Sequence, residues 1–358
     1  MRLRLLDFLR CPSCGSPFGA VSLEAEAEEI TAGILYCGTD HYFPIYKGIP
    51  RLLPDSLAMC WPKIAGKIRK PVPEPIRSLV DTQSFRSEGK DFDRPTRANF
   101  SNEWDNHDIG GNTWTMELKD RVQWFFLDPI RISKEDLNGK IMLDAGCGNG
   151  SQSVAYTEFG LEVVALDLST GLEKGYEFRE IYPKAKPEKV HFIQADLQTP
   201  PLAPGKFDII HSTGVLHHTP DTLTTFKALR PLLKPGGTFY VWLYKYEKFV
   251  TPVVNSLRAF TTRMPPFLFA RVATLTSVPF MGFCWAVDKI GLRQYSPLNR
   301  REATLAVHDI FGAPYAHYHS FEEVSDWYRS SGFTEIWSCN EGRRGFGVCG
   351  RLPTNGGD

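Results

Sequence analysis

The sequence predicts an α/β protein built on a doubly wound, mostly parallel sheet. Three observations lead there: short apolar runs that each stop at an acidic or polar residue, amphipathic helical stretches between them, and a glycine cluster directly after the first run. Strand-length runs separated by helices lie parallel, with helices on both faces of the sheet.

The first run, Ile141 to Leu143, enters "DAGCGNG", residues 144 to 150. A strand that turns into a helix through Gly146, Gly148 and Gly150 lets backbone and ligand approach closely, since no Cβ stands between them. The spacing is GxGxG, not the GxGxxG of dinucleotide turns, and Asp144 precedes it. A carboxylate there opposes a pyrophosphate and suits an ammonium group. "EVVALD" ends a second run at Asp167, ahead of Leu168, where a carboxylate can accept both hydroxyls of a ribose. "HFIQADL" ends a third at Asp196, placed for an adenine amino group while the neighbouring Leu197 amide reads the ring. Three acids on three successive strand ends describe an adenosyl ligand with an amino-acid tail.

A fourth strand lies in "FDIIHSTGVLHHTPD" (207 to 221) and carries Ser212 toward a turn with His217 and His218. Thr219, Pro220 and Asp221 read as an N-cap, a first-turn proline and a dipole-matched acid. The helix they open shows Leu223, Phe226, Leu229 and Leu233 on one face, "KPGG" ends it, and a fifth strand follows. In "SFEEVSDWYRSSGF", Ser320 and Glu323 have capping-box spacing and Gly332 is the stop. Two short strands, about 333–338 and 345–351, close the pattern.

With "LDAGCGNG", the fourth-strand turn and "LRPLLKPGGTFYVWLY" in this order, residues 99 to 351 resemble the class I S-adenosylmethionine-dependent methyltransferases. The resemblance implies a Rossmann-like fold with an antiparallel last strand, and S-adenosylmethionine as cofactor. The implied cofactor set is Asp144, Gly146, Gly148, Gly150, Asp167, Leu168, Asp196, Leu197 and Ser212. In related enzymes a segment before the first strand folds over the cofactor, which here points to Phe100 and Trp104. Trp114, Leu118, Val122 and Phe125 fall on one helical face and read as core.

At 358 residues and 42% hydrophobic, with 41 basic and 41 acidic residues, the chain has room for a full core and an accessory module. Zero net charge argues against a general affinity for nucleic acid or anionic membrane. "MRLRLLDFLRCP" lacks the apolar stretch of a secretory signal, so a cytoplasmic enzyme with reduced thiols is expected. Residues 272 to 287 are uncharged but fall short of a membrane span and include Pro279.

Of eight cysteines, Cys11 and Cys14 form a CxxC knuckle, and Cys37 is followed by Asp40 and His41. Two short-spaced pairs across a hairpin-sized segment match tetrahedral zinc. The module resembles the zinc-ribbon partner of RNA and protein methyltransferases and the N-terminal ribbon of a ribosomal RNA guanine methyltransferase. The usual ribbon has cysteine where Asp40 stands, while the ribosomal type uses Cys-x-x-x-His. The expected ligands are therefore Cys11, Cys14, Cys37 and His41, with Asp40 as the alternative to His41. A ribbon that has lost its metal is the competing reading.

The domains are then a zinc-ribbon-like unit over 1–55, a linker over 56–98 and a methyltransferase domain over 99–358. The linker is rich in proline and carries Lys63, Lys67, Arg69 and Lys70, read as a solvated face. An insert at about 245–319, rich in Phe, Leu and Pro, suits an apolar cap over an organic acceptor. The expected activity is methyl transfer to an oxygen, nitrogen or carbon of a small or lipid-like acceptor. An RNA base methyltransferase and a non-catalytic ribbon partner of another methyltransferase are the alternatives. If the acceptor must lose a proton, His217 is the first candidate base, beside His218, with His308 next to Asp309 as the second. The oligomeric state is not legible.

Overall fold

The computed structural model describes residues 1–64, 94–105, 109–113, 115–289, 299–342 and 344–354. Its main sheet has seven strands: β5 (Ile141–Ala145), β6 (Glu162–Asp167), β7 (Val190–Gln194), β8 (Phe207–Thr213), β9 (Leu233–Tyr244), β10 (Glu335–Cys339) and β11 (Gly345–Arg351). Their order across the sheet is β10-β11-β9-β8-β5-β6-β7. Strands β5 to β9 run parallel, and β11 enters antiparallel between β9 and β10. The order reverses at β5, so the ends of β5, β6 and β8 open one crevice.

Apolar side chains of these strands are almost wholly buried from both sides, as parallel strands under two helix layers must be. Ser320 caps the last helix by accepting from the Glu323 amide at 3.2 Å. Two local readings change. Asp221, not Thr219, caps the helix after β8, accepting from the Thr224 amide at 2.6 Å. That helix ends at Leu229, and "KPGG" lies inside β9 rather than at a helix end.

The aromatic stretch before β5 also shifts. Leu118 and Val122 are buried as expected, and Trp114 lies outside the described residues. A π-helical turn at Gln123–Leu127 inserts an extra residue into the helical ladder, so Phe126, not Phe125, becomes the fully buried ring, 4.5 Å from Tyr156.

The first 50 residues form a four-stranded antiparallel sheet, β1 (Phe18–Glu26), β2 (Glu29–Cys37), β3 (Tyr42–Tyr46) and β4 (Ile49–Pro50). It is not a separate bead. Leu5, Phe8 and Leu9 share one apolar core with Leu166, Ile193 and Phe207 of the main sheet, and Phe8 stacks on Phe207 at 5.9 Å. Arg51 bridges the two units, donating to Gln194 Oε1 at 3.1 Å and Glu173 Oε1 at 2.7 Å. Burial raises the Glu29 carboxyl, but Arg179 and the Tyr176 hydroxyl outweigh it and hold that carboxyl down at about 2. The expected linker begins as structure: α1 (Ser56–Ile64) buries Cys60 and packs Trp61 and Ile64 against Leu23, Ala32 and Ile34 of the small sheet. Lys67, Arg69 and Lys70 lie outside the described residues.

Candidate active site

The turn after β5 is built for close approach. Gly148 has φ +57°, and a Cβ on it would come within 2.8 Å of the Trp104 ring. A Cβ on Gly150, φ +73°, would meet Phe192 at 2.6 Å and the Gly175 Cα at 3.0 Å. Glycine therefore brings the turn under Trp104 on one side and against the next helix on the other.

The three acids have different neighbours. Asp167 accepts from the Gly148 amide through Oδ2 and from the Ser169 amide through Oδ1, both at 2.7 Å. Burial pushes its carboxyl up, against those two bonds. Asp144 is committed to the Ser153 hydroxyl at 2.6 Å and lies 3.4 Å from His211 Nδ1. Asp196, half-buried, accepts from the Gln198 amide at 2.8 Å. Leu168 turns its carbonyl to Gln194 Nε2 at 2.9 Å, and Leu197 is buried. Ser212 is a structural crosslink: it is 1% exposed, and its hydroxyl donates to the Ala145 carbonyl at 2.8 Å.

Helix α2 (Arg94–Asp105) lies over this crevice. Lys174 donates to its Trp104 and Asp105 carbonyls, each at 2.8 Å, which satisfies the helix C-terminus with a cation. Ser101 accepts from the Thr170 amide, and Arg97 grips Asp55 with two bonds of 2.8 and 2.7 Å. Trp104 thus lies against the glycine turn, and Phe100 stands 5.4 Å from His218. One group on this helix escaped the sequence reading. Glu103 is 4% exposed, and its Oε2 meets no hydrogen-bond donor. Burial, followed by the charges of Asp309 and Asp167, pushes its carboxyl far above the usual range. Its signal was its place on the turn that joins Phe100 to Trp104.

The turn after β8 forms the other wall. His217 is fully buried, stacks on Tyr244 at 3.9 Å, and among the described residues neither ring nitrogen has a hydrogen-bond partner. Burial, then the electrostatic effect of His218, His319, Arg258 and His317, presses its pKa well below 6.5. His218 donates from Nδ1 to the Tyr315 carbonyl at 2.8 Å, and its Nε2 lies 3.4 Å from Asp309 Oδ1. Tyr244, at the end of β9, donates its hydroxyl to Asp309 Oδ2. Sequence reasoning missed Tyr244, although it ends an apolar run at the same sheet edge as the acids. His308 is not brought to this wall: its ring contact is Phe269 of the cap at 5.2 Å, and burial lowers its pKa to about 4. His317 and His319 are consumed in pinning the cap. The His317 amide donates to the His217 carbonyl and its Nε2 to the Thr219 carbonyl, while His319 bonds Thr222 and Glu323.

Residues 143–241 match the family described as a methyltransferase domain. Over this stretch the chain is similar to methyltransferase domains. Among its relatives are ubiquinone biosynthesis O-methyltransferases. That of Xanthomonas campestris pv. campestris (strain B100) is 32% identical over 32% of this chain and 49% of its own length. That of Nitrosospira multiformis is 30% identical over 31% and 47%. The chain therefore spans about half the length of these curated relatives. A solved phosphoethanolamine N-methyltransferase 2 from Haemonchus contortus, in complex with S-adenosyl-L-methionine, is 16% identical with a TM-score of 0.43, covering 80% of this chain and 61% of that one.

Outside the methyltransferase domain, Cys11, Cys14, Cys37 and His41 bring one donor atom each within 4.8 Å of one another. The Cys14 and Cys37 sulfurs are 3.7 Å apart, and Cys37 Sγ is 3.4 Å from His41 Nδ1. A tetrahedron with Zn–S bonds of about 2.3 Å has sulfur–sulfur edges of about 3.8 Å, so the spacing fits zinc. Asp40 stands apart from this cluster, at φ +60° with its carboxylate accepting from Tyr42.

Proposed function

We propose that this protein transfers a methyl group from S-adenosylmethionine to a hydroxyl-bearing small or lipid-like acceptor, and that Cys11, Cys14, Cys37 and His41 hold one structural zinc. The observation that carries the reading is the pairing, at one sheet edge, of an adenosyl-type acid and glycine turn with a buried, unpartnered histidine under a cap. The cofactor supplies a methyl carbon already activated by its sulfonium. The chain's residues then have three tasks: to hold the adenosyl group, to exclude water, and to take the acceptor's proton.

Asp167 offers its carboxylate to the ribose and Asp144 its carboxylate to the amino-acid end, while Glu103, whose carboxyl burial keeps protonated, can donate a hydrogen bond from the lid helix. Phe100 and Trp104 close the site against solvent. A buried nitrogen left without a partner costs about 1–3 kcal/mol, which a merely structural histidine would avoid. His217 carries two such atoms and is held neutral, the form a base requires. A hydroxyl acceptor reaches it when the cap opens. His218 and Asp309 act as positioning residues by fixing the turn and orienting Tyr244. The O-methyltransferase names of the relatives agree with this acceptor class.

The cofactor assignment predicts that Asp167→Ala weakens S-adenosylmethionine binding by about 1–3 kcal/mol, with the homocysteine product affected equally, because the ribose loses a charged acceptor in a dry site. Titration calorimetry checks this. Affinity equal to that of the wild type would remove Asp167 from the site.

A further inference from the structure

The insert between β9 and the last helix was expected to turn its apolar side chains inward as a cap. Its first two helices instead turn many of their apolar side chains outward. Among the described residues 17 large apolar side chains are exposed, and 12 of them lie between 246 and 285. Helix α7 (Val250–Thr261) buries Thr251 and Arg258 while Val250, Val253, Leu257 and Phe260 face outward. A helix on a soluble surface has the opposite polarity, with its apolar stripe inward.

Helix α8 (Pro266–Lys289) is apolar on two sides. Phe269, Ala273, Ser277 and Cys284, spaced along one face, are buried. Phe269 and Ala273 pack with Val307 of α9 (Arg300–Gly312), and Arg300 donates to Ser277 Oγ and the Thr274 carbonyl. Phe267, Leu275, Val278, Phe283 and Trp285 are exposed. By length and composition Phe267–Lys289 could cross a membrane, although its uncharged part, residues 272–287, is shorter than a span. Crossing would strip the buried stripe from α9. A helix fixed to the protein along one face and apolar on the other is suited to lie flat on a bilayer.

The charges name the surface. Within residues 245–289 the exposed charged side chains are Lys245, Lys248, Arg263, Arg271 and Lys289, and none is acidic. Lys245 pairs with Glu341; Lys248, Arg263, Arg271 and Lys289 lie along the same stretch as the apolar side chains, and its two acids, Glu247 and Asp288, are half-buried. Lys248 lies 5.9 Å from the Phe249 ring and Lys289 5.6 Å from Trp285, so each end of the two-helix segment carries an aromatic–cation pair. That arrangement suits the headgroup level of a membrane. The zero net charge of the whole chain conceals this local excess.

We infer that the face formed by α7 and α8 docks the protein on an anionic phospholipid surface, with both helices lying in the interface rather than spanning it. The inference is independent of the methyl-transfer reading, since no residue of the cofactor or histidine walls belongs to the exposed face. Flotation of the full chain with phosphatidylcholine vesicles, with and without phosphatidylglycerol, tests it. At least about tenfold more protein should float with the anionic vesicles, and the excess should fall as salt rises from about 0.1 M to about 0.5 M. A Phe249→Glu, Phe267→Glu, Leu275→Glu variant should lose that excess while keeping the wild-type melting temperature. A variant that floats like the wild type would overturn the inference. So would a wild type that ignores vesicles but forms a dimer that the variant dissolves, since a second copy would then cover the face. Resistance of the vesicle-bound protein to alkaline carbonate would overturn the flat orientation in favour of a span.

Discussion

His217→Ala is expected to lower turnover about 100-fold or more while leaving cofactor affinity little changed, because a base acts on the acceptor's proton and not on the bound cofactor. His217→Gln should fall equally: it keeps bulk and polarity but takes no proton. The pH profile gives a second handle. Burial, then the neighbouring His218, His319, Arg258 and His317, press the folded pKa well below 6.5, so the neutral base persists from alkaline pH down through 6.5, and activity is lost only as pH falls through the lowered value. The same depression makes the unfolded chain the better proton acceptor. His217 therefore contributes stability above about pH 6.5 that is lost on acidification. Steady-state rates with both variants across this range, each checked by cofactor calorimetry, decide the role. Normal turnover in both would assign His217 to packing.

Removing the metal should be costly for the whole chain and not for the ribbon alone. Cys11→Ser, or chelation, is expected to abolish zinc content and lower stability by about 3 kcal/mol or more. Because Phe8 and Leu9 share a core with Phe207 and Ile193, and Arg51 ties β4 to Glu173, melting should remain a single transition at lower temperature. Metal analysis with calorimetric melting checks both parts. A wild-type protein refolded with zinc present that holds none would remove the ligand set, and two separate transitions would deny the shared core.

Much of the fold was legible because its signals are local. Strand ends at Asp144, Asp167 and Asp196, glycines that tolerate positive φ, and the Ser320 cap each depend on a few neighbouring residues. The two knuckles were legible for the same reason, since Gly15 and Asp40 make the turns that gather Cys11, Cys14, Cys37 and His41. What failed to show was set by tertiary contact. The π turn moved the buried ring from Phe125 to Phe126, and a one-residue insertion has no period to betray it. Glu103 and Tyr244 reach the site only through the packing of α2 and β9 over the crevice. His308 looked like a base because Asp309 follows it, yet on a helix adjacent residues face different ways: Asp309 reaches Tyr244 while His308 meets Phe269. The cap's richness in Phe, Leu and Pro was legible, but not which side chains face outward, since composition does not say which face a helix buries.

The central claim is methyl transfer to an organic, hydroxyl-bearing acceptor, and transfer itself is its most direct test. The purified protein is incubated with S-adenosylmethionine labelled in the methyl group and a cell extract, then separated into RNA, protein, lipid and small-molecule fractions. The account predicts label in the lipid or small-molecule fraction, as a methyl ether, lost in His217→Ala and in Asp167→Ala at limiting cofactor. Label confined to RNA, or no label together with no calorimetric binding of the cofactor, would contradict it.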